Sequence, residues 1–285
     1  MVRTFKVTLM SVLALYAGLC MAGENKPDSR PIQALMSKSG LNKQLEQLAP
    51  MVQVGMAQQN QQSEALPPET MSELSGLAAI AFDAATLKEK VQKHIQAKLA
   101  ETDIQAALAW LRSPLGEKIT KLEEDASTPA AYAEMQNMAD KLGGNAGRVA
   151  LAKKLDSAVK ATETGVAVAL NTQIALIAAM TSRMSPENRP TMDNIEKELS
   201  KSRGQIQSAV EQSALLSILY TYRSLSDAEI NKYIDFANSD SGKKYHTVTA
   251  EGVTAAVTSA AHVMGSLIAQ DAGKKKPGAG RNQNI

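Results

Sequence analysis

Residues 99–126 read LAETDIQAALAWLRSPLGEKITKLEEDA, and residues 225–252 read LSDAEINKYIDFANSDSGKKYHTVTAEG. The two stretches align without a gap, and identical residues stand at Leu99/Leu225, Ile104/Ile230, Ser113/Ser239, Gly116/Gly242 and Lys118/Lys244. Trp110 aligns with Phe236, so that position is aromatic in both stretches. Self-similarity at a fixed spacing is the signature of a repeated structural unit. The alignment therefore predicts two copies of one folded unit.

The second stretch carries a clear helix start signal. Ser226 followed three residues later by Glu229 fits a capping box, in which the hydroxyl and the carboxylate each pair with a free backbone N–H. Leu225 and Ile230 occupy the two positions of a hydrophobic staple around that cap. Ser239 is well suited to cap the next helix. We expect a short capped helix here, followed directly by a second helix.

The first stretch satisfies the same signals with different residues. Ala100 stands where the second copy has its capping serine, so this helix begins with a weaker signal. Ser113 precedes Pro114, and proline is favoured at a first helical position. Gly116 and Gly242 fall in the first turn of the following helices, where glycine costs about 1 kcal/mol against alanine. Close approach of another helix is the favoured reason, and a backbone-lined anion site is the alternative.

These residues carry a resemblance to a known family. Leu225-Ser226-x-x-Glu229-Ile230, an aromatic residue at Phe236 and then Ser239-x-x-Gly242-Lys243-Lys244 resemble the DUF2059 family of exported bacterial helical proteins. The first stretch keeps Leu99, Ile104, Trp110, Ser113, Gly116 and Lys118 of this pattern and departs from it at Ala100 and Asp103. The resemblance implies two copies of the family's unit, a helical fold and export. It implies no reaction, because the family has no established biochemical activity.

The composition predicts an all-α protein whose two similar helical units form a duplicated helical bundle. Helix-forming residues dominate, aromatic residues make up 4% of the chain, and no alternating strand pattern is present. A second similarity, at an offset of 114, pairs Leu41, Leu45, Val52 and Val54 with Leu155, Val159, Val166 and Val168. Each half is then expected to hold a long helix, a connecting helix pair, the short capped helix and a final long helix. The predicted boundaries are a signal at 1–22, units at 23–145 and 146–270, and a flexible basic tail at 271–285.

The start of the chain reads as a secretory signal. Arg3 and Lys6 precede the apolar run 7–19, and Cys20-Met21-Ala22 fits a cleavage site before Gly23. We therefore expect a periplasmic protein. A lipoprotein anchored through Cys20 is the alternative, although that signal normally has a small residue where Leu19 stands. Cys20 is the only cysteine, so the cleaved chain would lack thiol chemistry and zinc–cysteine sites.

The charge distribution argues against nucleic-acid binding. The chain has 31 Lys and Arg against 29 Asp and Glu, and the basic excess lies in the leader and in the tail after residue 270. The body therefore lacks the basic surface that releases counterions from nucleic acid. Lys274, Lys275 and Lys276 of the tail would support at most a peripheral membrane contact.

Neither the histidines nor the acidic run predicts a metal, cofactor or catalytic site. His94, His246 and His262 are not spaced three or four residues apart, as paired ligands on a helix would be. Glu251 follows His246 by five residues, which is poor geometry for sharing a metal. Each histidine is therefore expected to be structural or solvated, and Glu123-Glu124-Asp125 is expected to be a solvated helix face.

Three hypotheses for function remain open. The first is a non-enzymatic periplasmic protein that binds another envelope protein through its helical surfaces. The second is a carrier or chaperone for an apolar small ligand, suggested by a methionine-rich composition and by the small residues of Val248–Ala269, a segment for which a membrane-embedded helix is the alternative. The third is a hydrolase with a spatially assembled site, for which no motif is present.

Overall fold

The structure is a computed structural model that describes residues 29–62, 66–181 and 190–274. These ranges contain helices and no strand, so the all-α fold is confirmed. The predicted signal, most of the proline-containing segment 182–189 and the residues after 274 lie outside the described residues.

The helices follow one another with short connections. In chain order the first eight are α1 (Ser29–Lys38), α2 (Leu41–Gln62), α3 (Pro68–Ala81), α4 (Ala84–Lys98), α5 (Glu101–Leu111), α6 (Pro114–Ala126), α7 (Pro129–Asn137) and α8 (Ala139–Gly143). The remaining five within the described ranges are α9 (Ala146–Val159), α10 (Ala161–Thr181), α11 (Met192–Thr221), α12 (Asp227–Asn238) and α13 (Asp240–Lys274). The junction of α8 and α9 lies at the predicted boundary between residues 145 and 146.

The short capped helices and their successors begin where the sequence signals lie. The side chain of Ser226 accepts a hydrogen bond from the backbone N–H of Glu229, and the Glu229 carboxylate accepts one from the backbone N–H of Ser226. The capping box of α12 is therefore present. Ala100 begins α5 without a side-chain cap. Ser113 and Ser239 each accept a hydrogen bond from the backbone N–H three residues later, at 3.0 Å.

The two glycines of the repeated pattern stand against the end of the preceding helix. A Cβ added at Gly116 would lie 2.2 Å from the carbonyl oxygen of Trp110, and one added at Gly242 would lie 1.8 Å from that of Phe236. No side chain fits at such distances. The close approach that explains these glycines is thus made by the backbone of the short helix directly before each of them.

The order of elements corrects the upstream similarity that the sequence suggested. α1 is followed by Gly40 at φ 71°, and α9 is followed by Lys160 at φ 55°, so each of these helices ends in a left-handed residue before a longer helix begins. Leu41 is the first residue of α2, whereas Leu155 lies inside α9. The offset of 114 therefore pairs residues of one helix, α2, with residues of two helices, α9 and α10, and does not join equivalent elements. The two left-handed residues, Gly40 and Lys160, lie 120 residues apart.

The expected pattern of helix lengths was also wrong in part. Helix α6, which follows the short helix α5, has 13 residues, whereas α13, which follows α12, has 35. α6 ends early because Thr128 and Pro129 start α7, with the Thr128 hydroxyl accepting a hydrogen bond from Ala131. The connecting pair α3 and α4 corresponds in order to the single 30-residue helix α11.

Two main hydrophobic cores organise the chain, and each receives a helix from the other half. The first core contains residues of α1 to α5, and α13 contributes Tyr245, Val248, Val253, Ala256, Val257, Ala260 and Met264 to it. The second core contains residues of α9, α11 and α12, and α6 contributes Ile119, with Leu115 and Leu122 packed beside it. The helix after each short capped helix thus crosses to the opposite core.

By length and composition alone, residues 240–271 of α13 could cross a membrane, the one such stretch in the described ranges. In the fold this helix packs against α10 and α4. Val253, Ala256 and Val257 are almost completely buried in the first core. A core helix of a folded protein passes the same length and hydropathy test, and 44% of the apolar window of α13 is buried in the fold.

Candidate functional site

The aligned aromatic residues of the two stretches contact each other. Trp110 and Phe236 are stacked, with ring centroids 4.6 Å apart and planes 7° from parallel. Offset stacks of this kind contribute about 0.5–1.5 kcal/mol beyond the area they bury. Leu99 and Ile104 lie in the first core and Leu225 and Ile230 in the second, so the staple residues anchor each short helix in a different core.

Two ion pairs cross between the stretches in a reciprocal manner. The Lys118 ammonium lies 2.6 Å from Glu229, and the Lys244 ammonium lies 3.7 Å from Asp103. Lys118 aligns with Lys244, and Asp103 aligns with Glu229. The hydrogen bond from Lys118, together with those from the backbone and hydroxyl of Ser226, lowers the pKa of Glu229 to about 2.

Glu123 is buried, so the expectation of a solvated acidic run was wrong for this residue. It is 9% exposed, and it accepts hydrogen bonds from the hydroxyls of Tyr222 at 2.6 Å and Tyr233 at 3.2 Å. Burial raises the pKa of Glu123 to about 7, because desolvation outweighs both hydrogen bonds. Glu124 and Asp125 instead form ion pairs with Lys43 and Lys121.

Helical spacing could have revealed this burial. Gly116, Ile119, Thr120, Glu123 and Ala126 form the buried face of α6, and they recur at intervals of three and four residues as one side of a helix does. Glu123, Glu124 and Asp125 are consecutive residues, so their side chains point in different directions around α6. Glu123 is the one that lies on the buried face.

All three histidines of the chain line one cleft between α4, α10 and α13. Its volume is about 810 Å³. Its walls are formed by His94 and Lys98 of α4, by Lys160 at the end of α9, by Glu163, Thr164, Ala167 and Asn171 of α10, and by residues of α13 from His246 to Val263. The cleft follows α13 over 18 residues, which corresponds to about 27 Å of helix.

The sequence signal for this convergence was a run of five residues at steps of four, and not a single step between two histidines. His246, Ala250, Thr254, Thr258 and His262 follow one another at steps of four residues and all line the cleft. Residues four apart lie on the same side of a helix. A test restricted to single steps between histidines missed the stripe, and His94 reaches it from another helix.

His246 lies at the buried side of the cleft without a hydrogen-bond partner. It is 3% exposed, and neither ring nitrogen is paired within the part of the chain that the structure describes. Its neighbours are the rings of Tyr233, Phe236 and Tyr245. Burial lowers the pKa of His246 to about 3, so the ring is neutral near pH 7 and offers one donor and one acceptor.

Ion pairs neutralise the charged residues of the cleft. Lys98 lies 2.5 Å from Glu251, which also contacts the His94 ring at 3.2 Å. Lys160 lies 3.3 Å from Glu163. Among the described residues no group of three or more His, Cys, Asp or Glu side chains is arranged to hold a metal ion. The cleft therefore offers apolar contact and side-chain hydroxyl groups to an occupant, whereas both ring nitrogens of His246 are buried.

Comparison with known proteins adds family information for one segment. No curated protein and no solved structure matches the sequence. The segment that does match a family runs from α4 past the end of α8 and contains the first of the two aligned stretches. Residues 85–144 match the family described as an uncharacterized protein conserved in bacteria (DUF2059).

Proposed function

We propose that this chain is a non-enzymatic periplasmic binding protein, built from two copies of one helical unit, that binds another envelope protein in the cleft between α4, α10 and α13. The observation that carries the proposal is the cleft itself, which is open and is lined by small side chains on α13.

The two-copy architecture is supported by contacts between aligned positions. Trp110 stacks on Phe236, and the ion pairs of Lys118 and Lys244 with Glu229 and Asp103 are reciprocal. Such contacts, in which each residue meets the counterpart of its partner, are the property of an isologous two-fold interface. The exchange of α6 and α13 between the two cores obeys the same relation.

A role in binding is supported by the lining of the cleft, whose lysine and glutamate side chains are already paired with one another. Ala250, Thr254, Ala255 and Thr258 lie along the cleft, and side chains of this size let another main chain approach closely.

Site-specific photo-cross-linking in living cells tests the proposal. A photoreactive amino acid at Thr258 or Val263 of the cleft is expected to form a discrete adduct with an envelope protein. The same residue at Ala109 or Lys153, exposed positions on α5 and α9, is the control and should give none. Absence of an adduct from the cleft, or equal adducts from the control positions, contradicts the proposal.

Native mass spectrometry separates this proposal from the carrier hypothesis. The exported protein should be free of bound lipid or fatty acid. Ala255→Trp is a substitution that fills the cleft. An apolar molecule that co-purifies with the parent protein and is lost in this variant would support the carrier hypothesis instead. Ala109→Trp serves as the matched control, because it adds the same ring at an exposed helical position outside the cleft.

Export itself has a direct test in the N-terminal sequence of the protein recovered from the periplasm. A chain that begins at Gly23 is the expected result. An acylated Cys20 at the N-terminus would establish the lipoprotein alternative, and an uncleaved chain in the cytoplasm would contradict export.

A further inference from the structure

The first half of the chain contains a groove in which one of its own helices is seated. Residues Ala131, Tyr132 and Met135 of α7 form a buried cluster with Met51 of α2, Ala126 of α6 and Tyr220 of α11. The Tyr220 hydroxyl donates a hydrogen bond to Glu134 of α7 at 2.6 Å. α7 is thus a short amphipathic helix held between three others.

The walls of that groove correspond to the walls of the cleft, if the chain holds two copies of one unit as proposed above. α2 corresponds to α10, α6 to α13 and the end of α11 to the end of α4. Met51 aligns with Asn171 at the offset of 120, and Ala126 aligns with Gly252 at the offset of 126. Asn171 lines the cleft.

The contact across the third wall is also matched. A Cβ added at Gly252 would lie 3.3 Å from the His94 side chain, so α13 meets α4 closely at this point. His94 lines the cleft near the end of α4, as Tyr220 of α11 contributes to the cluster around α7. The positions that hold α7 in the first half therefore have counterparts in the second, of which Asn171 and His94 line the cleft and Gly252 is packed against His94.

Within the described residues the second half has no helix in this place, because α13 does not turn back. In the first half helix α6 ends at Ala126, and α7 begins at Pro129 with Thr128 as its N-cap. The aligned residues Thr254 and Ala255 lie within the continuous helix α13. The residues that would correspond to α7 therefore continue along one wall of the cleft and leave it unfilled.

We infer that the cleft is a receptor for a short amphipathic α-helix of the partner protein, seated as α7 is seated in the corresponding groove. α7 has nine residues, or about 14 Å of helix, which fits within the length of the cleft. Because Lys98 and Lys160 are already paired with Glu251 and Glu163, apolar contact selects the helix more than net charge does. Binding of an amphipathic helix in an apolar groove is a recurrent recognition mode.

The probe is a helix-stapled peptide with the sequence of residues 128–137, added to exported protein that carries ¹³C-methyl labels on alanine and threonine. We expect saturable shifts of the methyl signals that line the cleft, those of Ala167, Ala250, Thr254, Ala255 and Thr258. No saturable shift at millimolar peptide overturns the inference, as do shifts centred outside the cleft.

Variants and a scrambled peptide make the test specific. Ala255→Trp should weaken peptide binding at least tenfold, whereas Ala109→Trp and the parent should bind alike and the scrambled peptide should not bind. If the cleft forms cross-links to an envelope protein but the peptide does not bind, the inference of a helical occupant is wrong and the proposed function stands. Peptide binding without any such cross-link supports the helix receptor and contradicts the proposed envelope partner.

Discussion

Trp110 lies face to face with Phe236, at a centroid separation of 4.6 Å, and the two residues hold the same position in the two aligned stretches. If the two stretches are copies of one unit, as proposed above, this contact places both residues next to the two-fold axis that relates the copies. Because both rings also pack beside the two main cores, this stack joins the halves of the chain. Its removal is expected to affect both cores together.

Phe236→Ala should lower the free energy of unfolding by about 2 kcal/mol, less than a fully buried phenylalanine would, because the ring is only partly buried. Removal of the stacked ring should also shift the fluorescence emission of Trp110 to longer wavelength. Because Trp110 is the only tryptophan, the emission spectrum reports on this residue alone. Urea unfolding followed by circular dichroism gives the first quantity. Ile80→Ala, at a side chain that is 62% exposed, is the control and should change stability by less than about 0.5 kcal/mol. An unchanged emission spectrum would argue against the stack.

Gly116→Ala and Gly242→Ala should each destabilise the fold by about 2 kcal/mol or more, because a Cβ cannot fit against a carbonyl oxygen without moving the backbone. Gly76→Ala and Gly204→Ala are matched controls, since a Cβ at these helical positions meets nothing within 4 Å. The controls should stabilise the protein by about 0.5–1 kcal/mol, as alanine does in an open helix. Thermal unfolding of the four variants measures both effects, and similar values for all four would refute the close approach.

Glu123→Gln should stabilise the protein at high pH. The pKa of Glu123 is about 7 in the folded state against an ordinary 4.5, so the folded state binds the proton more tightly. The contribution of protonated Glu123 to the free energy of unfolding is therefore fully present below pH 4.5, and it is lost as the pH rises through 7. Glutamine still accepts from Tyr222 and Tyr233 without a charge, which should add up to about 3 kcal/mol at pH 8 and almost nothing at pH 4.

Urea unfolding at pH 4, 6 and 8 measures this dependence. Glu211→Gln, at an exposed position of α11, is the control and should show no pH-dependent gain. If Glu123→Gln gained as much at pH 4 as at pH 8, burial of an ionisable carboxyl would not be the cause.

His246→Phe should stabilise the protein, and more so in acid. The phenyl ring keeps most of the packing and removes two unpartnered nitrogens, which is worth about 1 kcal/mol at pH 8. The pKa of His246 is about 3 when folded against an ordinary 6.5, so the unfolded chain binds the proton first. The histidine protein therefore loses stability as the pH falls below 6.5, and the advantage of phenylalanine should grow by about 2 kcal/mol at pH 5.

The control for this variant is His262→Phe, since His262 is exposed on the same face of the same helix. Its stability relative to the parent should not depend on pH in this way. A His246→Phe profile parallel to that of the parent between pH 5 and 8 would mean that His246 is charged, or has found a partner, in the folded protein.

Local features of the fold could be predicted from the sequence because their causes lie within a few residues. Ser226 and Glu229 form a capping box by their spacing alone, and Ser113 and Ser239 cap the following helices for the same reason. Gly116 was recognised as a position of close approach because a helical glycine is otherwise unfavourable. Thr128-Pro129 carried an equally local start signal, and it was overlooked.

Features that depend on distant packing could not be predicted in this way. The exchange of α6 and α13 between cores depends on contacts between residues more than a hundred positions apart, for which the apolar pattern gives no partner. The hydrogen bonds of Glu123 become evident only once Tyr222 and Tyr233 are placed around it. The joining of His94 to His246 and His262 requires the packing of α4 on α13.

Cross-linking of the reciprocal pairs tests the relation between the halves most directly. Cysteines replace Lys118 and Glu229 in one variant and Asp103 and Lys244 in another, in a chain whose single native cysteine is Cys20. A short bifunctional thiol reagent should close an intramolecular bridge in both variants with similar yield and in neither set of single-cysteine controls. A bridge in one variant without the other would contradict two equivalent halves that meet about a two-fold axis.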